Sequence, residues 1–149
     1  MYSTILIATD GSELANNALD QGCELAKRFN AAVTIVTVTE PATVVGAGYA
    51  AAAGVGYSSI PELIEAQKAQ AETVLTEAKA RAEAAGVDAT TRLVEGVYPA
   101  DGIVQVADEI GANLIVMASH GRRGLGRLLL GSQTNNVLAQ TKIPVLVTR

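Results

Sequence analysis

Short β-branched runs alternate along this chain with longer stretches of helical periodicity, and that alternation limits the fold more than any other feature. Ser3–Thr9, Ala32–Thr39, Ala89–Glu95, Asn113–Ala118 and Val145–Thr148 read as strands, because β-branched and aliphatic side chains favour extended backbone. After the first strand, Ala15, Ala18, Leu19, Gly22, Cys23, Ala26 and Phe29 recur at the spacing of one helix face. Ser12 suits that helix as N-cap and Asn30 as its stop. Pro61 suits the first turn of a long helix running to about Ala85, with Gly86 as its stop and Val74, Leu75, Ala78, Ala82 and Ala85 as its buried stripe. A further helix spans Pro99–Ile110, burying Ile103, Val106, Ala107 and Ile110, and a short one follows Ser132. The (βα)₄β pattern predicts one domain over residues 1–149: a single open, twisted, parallel five-stranded sheet of order 3-2-1-4-5 with helices on both faces. The third strand is more polar than the others and is expected at an edge.

Composition then narrows the chemistry. A chain of 149 residues buries roughly 70% of the surface it would expose unfolded, so it needs no disulfide or metal to hold a core. One Cys excludes an intrachain disulfide or a CxxC site, and one His excludes HExxH and any two-His metal site. With 49% hydrophobic and 17% charged residues the chain does not read as disordered. A net charge of -4 argues against a general nucleic-acid binder. The opening Met-Tyr-Ser-Thr lacks the basic region of a signal peptide, so a cytoplasmic location is expected. Residues 41–60 carry no charge but are interrupted by Gly46, Gly48, Gly54 and Gly56. Weakly hydrophobic and glycine-broken, this stretch reads as a flexible Gly/Ala-rich loop, with a mobile lid as one role for it, and no membrane insertion is expected.

Ligands of open parallel sheets bind beyond the carboxyl ends of the strands, where the strand order reverses. In a 3-2-1-4-5 sheet the first and fourth strands meet there. The first ends in Ala8-Thr9-Asp10-Gly11-Ser12 and the fourth in Ala118-Ser119-His120-Gly121. Ser119–Ser132 then holds Gly121, Gly124, Gly126 and Gly131 with Arg122, Arg123 and Arg127, and no acid. Such a stretch is an anion site or a solvated charge cluster. Gly131-Ser132 opens a helix whose N–H groups and dipole suit a phosphate; a glycine hinge with a serine cap is the plainer alternative. Gly121-x4-Gly126-Arg127-Leu128 has Walker A glycine spacing without its Lys and Ser/Thr, and no early GxGxxG supports a dinucleotide site. Asp10 is a helix cap or a contact to ribose or metal-bound water. His120 has no sequence-adjacent carboxylate to orient it as a base, Ser119 and Ser132 sit in no GxSxG elbow, and Cys23 reads as core packing. Tyr98 packs a loop or lines the crevice.

At these residues the chain resembles the universal stress protein family over essentially its whole length. The family's nucleotide-binding members carry G-x2-G-x9-G-[S/T] after the fourth strand. The matching run here is Ala118-Ser119-His120-Gly121, nine residues, then Gly131-Ser132, with Ala118 in place of the first glycine. The resemblance implies an adenine nucleotide alpha-hydrolase-like fold that binds ATP (or ADP or AMP) with Mg²⁺. By the same resemblance Asp10 lies near the ribose and the metal-bound phosphates, touching the metal only indirectly, with Ala8 and Thr9 also among the nucleotide-binding residues. Val38 reads adenine through its backbone. Gly121, Arg122 and Arg123 wrap the phosphates, Ser132, Gln133 and Thr134 complete the cradle, and Ala118, Ser119, His120, Gly124 and Gly131 belong to the same implied nucleotide-binding set. Residues 143–148 resemble the final edge strand through which family members form homodimers, and an apolar edge strand independently favours a covered state. The implied role is regulatory: stress response through a nucleotide-dependent surface seen by a protein partner, with at most slow hydrolysis. The alternatives are a nucleotide-free interaction module, favoured only by Ala118, and a hydrolase using His120 and Asp10.

Overall fold

The computed structural model describes residues 1–53, 60–120 and 130–149. Its elements run β1 (Thr4–Ala8), α1 (Glu13–Phe29), β2 (Ala32–Val38), α2 (Ala42–Ala53), α3 (Ile60–Ala84), β3 (Ala89–Val94), α4 (Pro99–Glu109), β4 (Leu114–Ala118), α5 (Ser132–Gln140) and β5 (Val145–Thr148). The five strands form one parallel sheet of order β3-β2-β1-β4-β5, as the alternating pattern predicts. β3 is an edge strand, with Thr90, Thr91 and Arg92 exposed.

Period-two alternation divides the strand side chains between two cores. Ile5, Ile7, Val33, Ile35, Leu114 and Val116 pack with α1 and α3 on one face. Leu6, Ala8, Val36, Ile115 and Met117 pack with α4 and α5 on the other. Both faces are therefore apolar, which is why the strands read as near-continuous hydrophobic runs. α1 lies very close to the sheet: a Cβ built at Gly22 would stand 2.5 Å from Ile7 Cδ1, so any larger residue there would force the buried Ile7 side chain to shift. Ser12 caps α1 by accepting from the Ala15 N–H at 3.2 Å, and Asn30 closes it in the left-handed region at φ 51°. Cys23 is buried in this face, and burial pushes its thiol pKa up, in keeping with a packing role.

One expectation is corrected. Residues 41–60 read as a flexible loop, yet Ala42–Ala53 form α2, which lies against α3. Alanine is the strongest helix former, and it outweighs the roughly 1 kcal/mol that each of Gly46 and Gly48 costs a helix; packing on α3 supplies the tertiary support that a short helix needs. Residues 54–59 of that reading lie outside the described residues, and Ile60, its last residue, opens α3. No described helix is long and apolar enough to cross a membrane.

α1 and α3 are joined by a two-pronged ion pair, Arg81 Nε to Asp20 Oδ1 at 2.6 Å and Arg81 Nη2 to Asp20 Oδ2 at 2.7 Å. The Arg81 guanidinium holds the Asp20 carboxyl below its usual range. A carboxylate whose pKa is depressed in the folded state stabilises the fold fully above its unfolded pKa, and the contribution is lost as pH falls through the folded value. Both groups are about half exposed, so solvent screening limits the pair to about 0.5 kcal/mol. Asp20→Asn is expected to lower the urea midpoint slightly at neutral pH, with the difference from wild type closing under acid conditions. An equal difference at both pH values would contradict this account.

Candidate functional site

The sheet opens where its strand order reverses. β1 pairs with β4 only through Ile7↔Val116. Beyond that point β1 stays with β2, pairing Ala8↔Val36 and donating the Thr9 N–H to Val36 O at 3.0 Å. β4 instead stays with β5, pairing Ala118↔Thr148 and donating the Ser119 N–H to Thr148 O at 2.8 Å. The two ends splay, and the crossovers send α1 to one face and α5 to the other. A cavity of about 410 Å³ lies over this fork, within the range of small-molecule sites.

Ala8, Thr9 and Asp10 line the cavity from β1, Val38 from β2, and Ala118 and His120 from β4. Gly131, Ser132, Gln133 and Thr134 line it from the start of α5. Ser119 is not among the lining residues; it is 2% exposed and acts as a brace. Its carbonyl accepts the Gly131 N–H at 2.8 Å and the Thr134 hydroxyl at 3.1 Å, while its hydroxyl lies 3.2 Å from His120 Nδ1. Gly121, Arg122, Arg123 and Gly124 lie outside the described residues. Tyr98 is exposed and does not line the cavity.

Several buried hydroxyls here serve the backbone. Thr37 Oγ1 donates to Thr9 O at 2.9 Å, Thr39 Oγ1 accepts the Gly96 N–H at 3.2 Å, and Thr9 Oγ1 accepts the Gly11 N–H at 3.2 Å. These bonds fix the ends of β1 and β2 in place. Asp10 Oδ1 accepts the Ser12 N–H at 2.9 Å, which holds its carboxylate at the cavity wall just before α1. Ala118 packs its methyl with the α1 and α3 core, and its carbonyl accepts from Thr134 Oγ1 at 3.1 Å. Gly131 is the N-cap of α5 and supplies no side-chain cap. The first-turn N–H groups of a helix have no partner within it, so this end of α5 meets the cavity as a donor surface with a positive dipole. A Cβ at Gly131 would stand 3.0 Å from Ser119 O, so the glycine also eases the close approach of two backbone segments.

Other lining residues escape the sequence reading. Gln67, Gln70, Ala71 and Val74 form one wall from α3, with Thr37, Thr39 and Glu40 at the end of β2 and Pro99 and Ile103 on α4. The α3 residues extend the helical spacing of the buried stripe towards the N-terminus, but two of them are polar and so drop out of an apolar pattern. Among the described residues no group of three or more His, Cys, Asp or Glu is gathered to hold a metal.

Residues 1–149 match the Universal stress protein family. The chain belongs to the universal stress protein family. It is similar to the universal stress protein MJ0531 of Methanocaldococcus jannaschii, with 36% identity over 149 residues covering 100% of this chain and 83% of that one. Its fold is similar to the solved structure of the hypothetical protein MJ0577, with a TM-score of 0.80 and 29% identity over 99% of this chain and 96% of that one. It is also similar to a universal stress protein solved in complex with cAMP, with a TM-score of 0.69 and 31% identity over 99% of this chain and 97% of that one.

Thr134 is 2% exposed, and its hydroxyl is, among the described residues, the one side-chain tie from α5 to both carbonyls at the end of β4. Thr134→Val keeps the shape and removes the donor, so it is expected to lower stability by about 1–2 kcal/mol. Thr134→Ser, which keeps the donor, is expected to lose less in the same urea titration. Equal losses for the two variants would show that the hydroxyl does not anchor α5.

Proposed function

We propose that this universal stress protein binds an adenine nucleotide in the cavity above the β1/β4 fork and uses its occupancy in stress-response regulation. The observation that carries the reading is convergence. Asp10, Val38, Ala118, His120 and the opening of α5, separated widely in sequence, line one cavity of about 410 Å³. The cAMP complex of a relative at 31% identity supports a nucleotide as the ligand. Phosphates suit the uncapped start of α5, where backbone N–H groups and the dipole favour an anion. Gly121, Arg122, Arg123 and Gly124 extend that cradle in this reading.

ATP with Mg²⁺ is the form we favour. Magnesium is commonly held by one or two carboxylates together with phosphates and water, so the cavity carboxylates Asp10 and Glu40, with Asp10 nearest the start of α1, fit this ion better than a metal held by protein alone. The ion would screen phosphate charge; Asp10 would position it, directly or through water. Efficient phosphoryl transfer also needs a positioned base and a charge clamp. His120 faces its neighbour Ser119, an arrangement suited to binding with at most slow hydrolysis. We further propose one domain over residues 1–149, a cytoplasmic location, a homodimer through residues 143–148, and a protein partner that reads nucleotide occupancy.

A nucleotide-free interaction module is the second reading. One observation favours it: the 3.0 Å approach of a Gly131 Cβ to Ser119 O gives that glycine a purely structural duty. Isothermal titration with Mg-ATP separates the two. Saturable binding that weakens about tenfold in Asp10→Ala, roughly 1.4 kcal/mol, supports nucleotide binding. No heat with the folded protein, and no nucleotide released from it on denaturation, would favour the interaction module.

A further inference from the structure

α4 begins without a cap of its own. Its N-cap residue, Tyr98, makes no side-chain capping bond, and Pro99 at its start has no N–H to offer. The first donor of the helix is therefore the Ala100 N–H, on a residue only 1% exposed, and a buried main-chain donor must find a partner. That partner comes from another element: Gln133 Oε1, in the first turn of α5, accepts the Ala100 N–H at 3.2 Å. Gln133 thus caps one helix from the opening of the next. Among the described residues, no other side-chain hydrogen bond joins the first turn of α5 to α4.

The bond to Ala100 also fixes the other end of the amide. A main-chain N–H only donates, so the Gln133 oxygen must face α4 and its amino group must face away. No described residue accepts from that amino group. Gln133 lines the cavity together with Pro99, Ser132 and Thr134. Its Nε2 and the first-turn N–H groups of α5 are all donors, a set that suits an acceptor-only group such as a phosphate. Thr134, the next residue, is tied to the end of β4, so this one turn holds adjacent ties to β4 and to α4.

We infer that Gln133 relays occupancy of the cavity to α4, its Nε2 donating to a phosphate oxygen while its Oε1 holds the Ala100 N–H; the inference rests on the nucleotide reading above. The cap on α4 orients the amide and so prepares its donor for the ligand. By linkage, a ligand that takes the donor holds the cap in place with the same coupling. The effect of bound nucleotide thereby reaches the surface at the start of α4, where Tyr98 is exposed.

Amide exchange at Ala100, read by NMR with and without Mg-ATP, and isothermal titration test this on wild type, Gln133→Met, Gln133→Glu and Gln140→Met. Met and Glu match the helix propensity of Gln, and circular dichroism confirms that each variant is folded. In wild type, saturating Mg-ATP is expected to slow exchange at Ala100 about tenfold more than at Glu109, at the far end of α4. Gln133→Met removes both ends of the relay. It is expected to exchange faster at Ala100 when free, to bind Mg-ATP about tenfold more weakly, and to show no extra slowing there when saturated. Gln133→Glu keeps the acceptor for Ala100 but replaces the donor with a carboxylate oxygen. Ala100 is then expected to stay protected in the free protein while Mg-ATP binding weakens, and this variant carries the test if Gln133→Met does not fold. Gln140→Met cuts a second tie between the same helices, Gln140 Nε2 to Asp101 Oδ1 at 3.0 Å, which lies off the cavity, and is expected to leave Mg-ATP affinity unchanged. Unchanged affinity in folded Gln133→Met, or the same slowing at Ala100 in that variant as in wild type, would overturn the inference and leave nucleotide binding standing. Equal loss of affinity in Gln140→Met would overturn it too, because loosening α4 from α5 would then be enough. A wild type that binds no Mg-ATP would overturn the nucleotide reading, and the inference with it.

Discussion

The short pairing of β1 with β4 is the constraint on which the rest of this structure depends. Three residue pairs hold the two strands together, ending at Ile7↔Val116. Each strand then follows its outer neighbour, β1 with β2 and β4 with β5. Right-handed crossovers must leave the sheet on opposite faces from two such strands, so the chain cannot close the gap between them. The fork is thus a consequence of strand order. The division of side chains between two differently shaped cores fixes the register, since a slip of one residue would exchange the two sets.

The site above the fork is built mostly from backbone. Thr9, Thr37, Thr39 and Thr134 spend their hydroxyls on main-chain groups, which sets the strand ends and the start of α5 at fixed positions. What then lines the cavity is a helix terminus, Asp10, Glu40, His120, the glutamines of α3 and an apolar wall. A chain with a single His and few aromatics is well suited to holding a ligand this way, because helix N–H groups and glycine-permitted close approaches need no catalytic side chains. The same economy argues for binding over chemical transformation as the proposed role.

Much of this was legible in the sequence. Runs such as TILIA and LIVMA carry both their strand character and their burial on two faces, and the Asp10-Gly11-Ser12 break marks the start of α1 by capping chemistry. The convergence of Asp10 and Ala118 followed from strand order, while Gly131 was reached through the helix start it precedes and the motif spacing of the resemblance. α2 did not, because the glycines at 46 and 48 masked a segment whose alanines favour helix and whose support comes from α3, a tertiary contact without a local signal. Gln67 and Gln70 were hidden for a related reason. Their place on the cavity wall depends on the angle at which α3 crosses the ends of β2 and β3, and a polar residue on a helix reads as solvated until that angle is known.

The central claim is that an adenine nucleotide binds in the cavity above the β1/β4 fork with its phosphates at the start of α5. Backbone amide NMR of the folded protein titrated with Mg-ATP tests it most directly. The account predicts that the largest shifts fall at Asp10, at Val38–Glu40, at Gln67–Gln70 and at Ser132–Thr134, with the opposite end of the sheet around Ser3, Ala32 and Asn113 unmoved. Shifts confined to any other surface, such as the shallow depression between Asp20, Glu24 and Arg28, would contradict it.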